Sequence, residues 1–206
     1  RVTLLQLHNA LTVGRGDEPT SLTPADVLGP GGVLEGLERV RDAGWADWIG
    51  LTGIGHADSL RTVLASNRFQ TLQVPYNMLN PSAGDAVPPE FAEANYGGIM
   101  HDCRSLGVGV FAIRVFAGGA LAGLPPSEYT YRTRFFSLDL YRRDQARAAA
   151  LAAQVEATQP AITATDGARA MRRAALRFAL AHPSVSSAIL GLNAVEQVDE
   201  ACDLWA

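Results

Sequence analysis

The 206-residue chain contains no lysine, since all 17 of its basic residues are arginine. Any chemistry that depends on a lysine must therefore come from outside this sequence. Charged residues make up only 18% of the chain, and the formal net charge is −4. A nucleic-acid surface needs a concentrated basic patch, so this charge argues against nucleic acid as a partner.

Long apolar runs and cysteine clusters are also missing. No run reaches the ~20 residues that a bilayer helix needs, and no signal peptide is evident, so we expect no membrane partner and a cytoplasmic location. Cys103 and Cys202 lie far apart inside predicted helices, and we expect two buried thiols rather than a disulfide. No Cys or His pair has ligand spacing, so no metal site is expected. The nucleophile elbow of a serine hydrolase is absent too.

Short apolar runs alternate with helical patterns five times, which is typical of parallel strands joined by crossover helices. The predicted strands are residues 2–8, 48–52, 71–76, 108–115 and 186–190. The predicted helices are residues 32–43, 57–66, 90–106, 140–157, 168–181 and 194–204. The hydrophobic fraction of 48% suffices for one core, so we expect a single domain over residues 1–206.

The ends of the predicted strands distinguish an open sheet from a closed barrel. An open dinucleotide-binding sheet would show Gly-x-Gly-x-x-Gly after a strand, and no strand here is followed by it. Instead, each strand finishes in polar or backbone-exposing residues: HN at 8–9, GLTG at 50–53, QVPYN at 73–77, IRVFAGG at 113–119 and GLN at 191–193. On a barrel such ends converge at one face, where active sites lie, so the pattern favours the barrel.

Taken in order, these segments resemble the aldo-keto reductase family over nearly the whole chain. The matching pieces are LLQLH at 4–8, IGLT at 49–52, QVPYN at 73–77, GGAL at 118–121, AILG at 188–191, and EQ at 196–197 with Glu200. The resemblance implies an α/β fold, a (βα)8 TIM barrel of which units 4 to 8 are present in this sequence. It also implies an NAD(P)H-dependent oxidoreductase that interconverts a carbonyl (aldehyde, ketone or aldose) and an alcohol.

The resemblance places His8 at the end of the fourth barrel strand. The family's catalytic Tyr, Asp and Lys would belong to three earlier units, so the sequence is expected to begin inside a longer protein. Hydride transfer builds negative charge on the carbonyl oxygen, which needs fixed donors nearby. His8 is implied as the catalytic residue that orients the substrate at that oxygen.

The nicotinamide end of the cofactor is implied to lie at the next strand ends. Thr52 and Gln73 would hold the carboxamide, and Gly53 stands where the family commonly has Asn or Arg. Ile113 would pack on the ring, where an aromatic residue is frequent. The resemblance implies direct hydride transfer without a metal ion.

The pyrophosphate is implied to lie beyond the strand at 108–115. Arg114 would serve as a bidentate donor, followed by Val115, Phe116 and Ala117, with the amides of Phe116 and Ala117 as further ligands. The segment at 129–136 interleaves aromatic residues and arginine, and a loop folding over cofactor or substrate fits it better than nucleic-acid binding.

The adenosine end is implied to lie at the last strand and helix, on Gly191, Leu192, Asn193, Gln197 and Glu200. Asn193 and Glu196 have capping-box spacing, which predicts a helix N-terminus with Asn193 as the N-cap, suited to a phosphate.

The loop before the last helix bears on the choice between NADP and NAD. It has no basic residue for a 2′-phosphate, and Ala201 stands where the family usually has Asn. Arg134 is the candidate for the missing charge. The resemblance implies NADP, the usual cofactor of the family, with NAD as the alternative.

Two further hypotheses belong to other classes. One is a catalytically inactive, nicotinamide-nucleotide-binding regulatory or sensor protein, and the other is a cofactor-free barrel lyase or isomerase. The expected partner is a small-molecule carbonyl or sugar, because the IRVF stretch is similar to that of members that act on aldoses. Five units alone would leave two unpaired strand edges, so homo-oligomers or aggregation are expected of this stretch in isolation.

Overall fold

The computed structural model describes residues 1–16, 18–133, 136–158 and 164–205, and strands alternate with helices along the chain. The strands are β1 (Val2–Leu7), β2 (Ala46–Thr52), β3 (Thr71–Pro75), β4 (Gly109–Ile113) and β5 (Val185–Ala188). The helices are α1 (Pro24–Leu28), α2 (Val33–Asp42), α3 (Ala57–Leu64), α4 (Ile99–Leu106), α5 (Glu128–Arg132), α6 (Leu138–Thr158), α7 (Ala164–Ala181) and α8 (Val195–Trp205). A 3-10 helix, Ala117–Ala122, follows β4.

The strands form one five-stranded sheet in the order β1-β2-β3-β4-β5. The pairings β1–β2, β2–β3 and β3–β4 are parallel, as the alternating pattern predicted. Leu7 lies opposite Leu51, and Thr52 lies opposite Gln73. Because side chains alternate along a strand, this register gives the sheet two different faces. One is apolar and buried, with Ile49, Leu51, Leu72 and Val74 fully covered.

The chain divides into two compact units. Unit 1 comprises Arg1–Tyr76, Asn80–Ile113 and His182–Ser187, and unit 2 comprises Asn77–Leu79, Arg114–Ala181 and Ala188–Ala206. Unit 1 contains β1 to β4 and α1 to α4. Unit 2 contains the 3-10 helix and α5 to α8, around a core of Leu79, Leu121, Tyr141, Met171 and Ala175.

One helix is much shorter than its sequence predicts. The apolar pattern predicted a helix over residues 90–106, but α4 starts at Ile99. Gly97 and Gly98 both have positive φ, 63° and 71°, which a right-handed helix does not allow. The prediction for residues 90–98 is therefore wrong, whereas the other predicted helices and strands occur with shifted ends.

The expectation of two buried thiols is half right. Both cysteines are free, but only Cys103 is buried, while Cys202 on α8 is exposed. Burial raises the pKa of the Cys103 thiol to about 12. Among the helices that the structure describes, none combines the length and the apolar character that crossing a bilayer takes.

Candidate functional site

In unit 1 the sheet brings the predicted residues of three strand ends into contact. His8 follows β1, and its Nδ1 lies 3.2 Å from Oγ1 of Thr52, the last residue of β2. Thr52 is only 1% exposed, so the sheet holds its hydroxyl in one place. His8 is exposed, and its Nε2 has no partner in the described part of the chain. The ring is thus fixed at one nitrogen and open at the other.

A chain of side-chain amides runs beside this pair. Gln73 Nε2 donates to Gln6 Oε1 at 2.9 Å, and Gln6 Nε2 donates to the carbonyl oxygen of Leu51 at 3.1 Å. These bonds fix the Gln73 amide and leave its Oε1 without a partner among the described residues. A carboxamide N–H is a suitable donor to such an oxygen. Gln6 was missed at the sequence level, although its two-residue spacing from His8 places both on one face.

Gly53 and Ile113 complete the predicted residues of unit 1. A Cβ on Gly53 would lie 2.9 Å from Leu72 Cδ1 and 3.0 Å from the carbonyl oxygen of Gln73. The packing therefore leaves little room for a side chain at position 53. Ile113 ends β4 half-buried, opposite Pro75 and two residues after Phe111, which lies opposite Gln73. Ile113 and Gln73 thus belong to the same face of the sheet.

Tyr76 follows β3, but its environment does not suit a proton donor. Its hydroxyl donates to Asp85 Oδ2 at 2.7 Å, and the residue is 2% exposed. Burial, followed by the hydrogen bond and the charge of Asp85, raises the pKa of Tyr76 well above its usual value. This hydroxyl is committed to a structural bond, so no tyrosine acid stands at the strand ends that the structure describes.

In unit 2 the segment after β4 has an unusual backbone. Arg114 and Ala117 have φ of 56° and 50°, and Gly118 and Gly119 have φ of 70° and 110°. Positive φ is costly for residues with a Cβ, and such strain concentrates at ligand sites. The carbonyl oxygen of Arg114 accepts from Asn77 Nδ2 at 2.9 Å, which holds the bend in place.

This bend leaves two backbone donors open. Ala117 N donates to Arg114 O at 2.7 Å, and Gly119 N donates to Phe116 O at 2.9 Å. By contrast, the N–H groups of Phe116 and Gly118 have no acceptor within the residues that the structure describes. Successive amides in such conformations form a concave anion site. The resemblance implied the amides of Phe116 and Ala117 as ligands, whereas the structure leaves those of Phe116 and Gly118 open.

Two adjoining cavities open beside this loop. We call them the loop cavity, of about 350 Å³, and the helix cavity, of about 200 Å³. Both are lined by Phe116, Ala122, Leu124 and Gly191. The loop cavity adds Arg114, Val115, Gly118, Gly119, Ile189 and Leu190. The helix cavity adds Arg172, Leu192, Gln197, Glu200, Ala201 and Leu204.

The cavities thus gather seven of the residues expected to bind cofactor: Arg114, Val115, Phe116, Gly191, Leu192, Gln197 and Glu200. Neither cavity is lined by Ala117, which is buried, or by Asn193. The guanidinium of Arg114 lies 3.6 Å from the ring centroid of Phe136, an attractive cation–π contact that orients it. Arg134 lies outside the described residues.

The start of α8 differs from its prediction. The helix begins at Val195, so Asn193 stands one residue too early to be its N-cap, and the predicted capping box with Glu196 is wrong. Instead, Asn193 N donates to Gln197 Oε1 at 2.9 Å. Sequence spacing could not distinguish the predicted capping box from the observed bond, because Glu196 and Gln197 are both suitable partners in the first turn.

A charged pair that the sequence did not reveal lies on the wall of the helix cavity. Arg172 on α7 donates to Glu200 on α8, with Nε and Nη2 at 3.0 Å and 2.5 Å from the same Oε1. The two residues are 28 positions apart in sequence, and only helix packing brings them together. Among the residues lining this cavity, Arg172 is the one with a basic side chain.

Comparisons with known proteins agree on one family. A profile of the Aldo/keto reductase family matches residues 20–206. No curated protein matches the chain.

Several solved structures share the fold. The holo form of the aldo-keto reductase AKR11C1 from Bacillus halodurans has a TM-score of 0.58 and 15% identity, over 98% of this chain and 53% of that chain. The thermostable aldo-keto reductase Tm1743, in complex with the inhibitor epalrestat, has a TM-score of 0.52 and 16% identity, over 98% and 54%. The glycerol dehydrogenase AKR11B4 from Gluconobacter oxydans has a TM-score of 0.52 and 13% identity, over 98% and 57%. The chain therefore spans about half the length of these structures.

Proposed function

Because the chain belongs to the aldo/keto reductase family, we propose that its protein is an NAD(P)-dependent oxidoreductase that interconverts a carbonyl and an alcohol. The chain would form units 4 to 8 of the family's barrel, as part of a single catalytic domain. The substrate class is a small aldehyde, ketone or aldose. The observation that carries this proposal is the pair of open amides at Phe116 and Gly118 beside the loop cavity.

The residues of unit 2 fit the phosphate and adenosine parts of a nicotinamide dinucleotide. The amides of Phe116 and Gly118, with the oriented guanidinium of Arg114, supply donors and positive charge for a pyrophosphate. The helix cavity supplies apolar walls from Leu124 and Leu192. Flat apolar walls with a few polar groups are what an adenosine needs.

The residues of unit 1 fit the reacting end. Gln73 offers a fixed amide oxygen to the nicotinamide carboxamide, and Ile113 offers an apolar surface to its ring. Thr52 remains a second carboxamide partner, since its hydroxyl oxygen can accept a bond while its proton is donated to His8. Gly53 contributes backbone only. When bound, the dinucleotide donates or accepts the hydride of the reaction.

His8 would orient the substrate oxygen. If Thr52 Oγ1 donates to Nδ1, the ring proton stays on Nε2, which then donates to the carbonyl oxygen. Such a fixed donor stabilises the negative charge that develops there during reduction. Its role is orientation and charge stabilisation; the proton itself would come from the family's tyrosine, which this chain does not contain.

Isothermal titration calorimetry of the purified protein with NADPH and NADH tests the dinucleotide site. Gly118→Ala would put a Cβ 3.2 Å from Arg114 Nη2 at a φ of 70°, which L side chains rarely adopt, so the loop and the N–H of residue 118 must shift. We expect the Kd to rise by about tenfold or more, the effect of losing one charge-assisted hydrogen bond. Gly31→Ala is the matched control, because Gly31 has the same φ, 71°, with open space around it.

Binding of neither dinucleotide, or equal effects of the two glycine variants, would contradict the site. Reduction of simple aldehydes by the protein, lost in His8→Ala, would establish the oxidoreductase activity. Tight binding without any turnover would instead favour a regulatory or sensor protein.

A further inference from the structure

We propose that Gln6 is a positioning residue that fixes which way the side-chain amide of Gln73 faces. In this role it makes the site select a cofactor ring whose substituent carries an N–H group, as the carboxamide of nicotinamide does. The role rests on the proposed function, because the orientation of Gln73 matters only if Gln73 contacts that carboxamide. Gln6 acts through Gln73 rather than on the ligand itself.

One backbone carbonyl determines the direction of both amides. The oxygen of Leu51 can only accept, so the amide of Gln6 turns its Nε2 toward it, at 3.1 Å. Oε1 of Gln6 then faces Gln73 and accepts from its Nε2 at 2.9 Å. Gln73 consequently presents Oε1, an acceptor, on its remaining side. In the described part of the chain, Gln6 is the one residue that bonds to the Gln73 amide.

A glycine in β2 lets the two glutamines meet although a strand separates them. β2 lies between β1 and β3 in the sheet, and Gln6 lies opposite Gly50 in the register. A Cβ on Gly50 would lie 3.4 Å from Cδ of Gln6, so the Gln6 amide rests against this glycine. A larger residue at position 50 would occupy the space between the two glutamines. Both glutamines are half-buried, which partly shields their bond from water.

A fixed acceptor selects a ligand that brings a donor. The carboxamide of nicotinamide can donate an N–H to Gln73 Oε1, whereas an acetyl group in its place has a methyl group and keeps only its carbonyl oxygen. Against a methyl group, Oε1 would lose its partner, which is unfavourable for a partly buried oxygen. An amide that is free to turn would instead present Nε2 to the acetyl oxygen. Loss of Gln6 should therefore weaken the discrimination between the two rings.

Gln70 provides a matched control on the same stretch of chain. Its Oε1 accepts from the N–H of Ile49 at 3.1 Å, and its Nε2 donates to the carbonyl oxygen of Arg68 at 3.2 Å. Like Gln6, it is half-buried and makes two hydrogen bonds through its amide. It has no hydrogen bond to Gln73. Its truncation should cost comparable stability without releasing the Gln73 amide.

The experiment is calorimetric titration with NAD⁺, with NADP⁺ and with the acetylpyridine analogue of each, in the unmodified protein and in Gln6→Leu, Gln6→Glu and Gln70→Leu. The unmodified protein should bind the carboxamide form about tenfold or more tightly than its analogue. Gln6→Leu should reduce this preference by about fivefold, the effect of one hydrogen bond. Gln6→Glu should retain the preference, because a carboxylate still accepts from Nε2 of Gln73. Gln70→Leu should retain it as well.

An unchanged preference in Gln6→Leu, or the same loss in Gln70→Leu or Gln6→Glu, would overturn the positioning role and leave the proposed function intact. Equal binding of both rings by the unmodified protein would overturn it too. Absence of binding for every dinucleotide would remove the proposed function itself, and the role of Gln6 with it. Each preference compares two ligands in one variant, so it does not depend on the fraction of folded protein.

Discussion

In unit 1 the candidate residues stand at the ends of paired strands, whereas in unit 2 they stand on a strained loop and on two packed helices. The pair of His8 and Thr52 follows directly from the register of β1 with β2. The cavities of unit 2 depend instead on positive φ at Arg114 and Ala117 and on the approach of α7 to α8. The strand-end residues of unit 1 can be recognised from the two-residue alternation of a strand. The loop and helix residues of unit 2 follow no such pattern.

The difference also concerns what a substitution does. A side chain at a strand end is held by the sheet beneath it, so crowding there lowers the free energy of unfolding. A residue on the loop or the helix wall lines open space, so a change there alters ligand binding more than folding.

The largest effect is expected for Gly53→Asn, which introduces the kind of residue that the family commonly has there. Its Cβ would meet Leu72 Cδ1 at 2.9 Å, so we expect a loss of about 1–3 kcal/mol in the free energy of unfolding, as for other overpacked sites. Urea denaturation followed by circular dichroism measures it. Gly14→Asn is the control, because nothing lies within 4 Å of its Cβ. Equal stability of the two variants would show that the strand ends of unit 1 are not tightly packed.

A smaller effect is expected for Thr52→Val, which removes the hydroxyl that contacts His8. The loss of one hydrogen bond should cost about 1 kcal/mol of stability. The sharper readout is the tautomer of His8 by 15N NMR, since we expect a shift away from the form protonated at Nε2. Thr12→Val loses a comparable bond, to Ser21 Oγ at 3.1 Å, and should leave the His8 tautomer unchanged. If Thr52→Val also leaves it unchanged, Thr52 does not position the ring.

The smallest effect is expected for thiol labelling, which should distinguish the cysteine of unit 1 from that of unit 2 without any change in stability. Cys103 in unit 1 is buried, with its pKa raised to about 12, whereas Cys202 in unit 2 is exposed. A thiol reagent added to the native protein below pH 10 should label Cys202 alone. Mass spectrometry of the digested protein identifies the labelled cysteine. Because Cys103 is buried and its raised pKa keeps the thiolate a minor fraction over this range, its labelling should stay far slower than that of Cys202. Rapid labelling of Cys103 would show that unit 1 opens readily.

Much of unit 1 could be predicted because its signals are local. The apolar runs located all five strands, and their polar ends located His8, Thr52 and Gln73. The errors have local causes as well: the apolar pattern of residues 90–98 suggested a helix, but Gly97 and Gly98 take conformations outside it. Gly53 was recognised as a departure, but the close approach of Leu72, which leaves little room there, needs the three-dimensional packing.

Unit 2 was predicted less completely because its contacts join distant parts of the chain. The resemblance named Glu200, but its partner Arg172 lies on another helix, and no spacing indicates that pairing. The open amide of Gly118 depends on backbone angles that the letters AGG do not specify. Asn193 was predicted as the N-cap because its spacing to Glu196 fits a capping box. The next residue, Gln197, is an equally suitable partner, and the helix starts one residue later than expected.

A crystal structure of the protein with bound dinucleotide tests the proposed site most directly. We expect pyrophosphate oxygens within hydrogen-bond distance of the N–H groups of Phe116 and Gly118, and the adenosine in the helix cavity beside Glu200. A dinucleotide bound elsewhere, with these two amides left without a ligand, would contradict the proposed site.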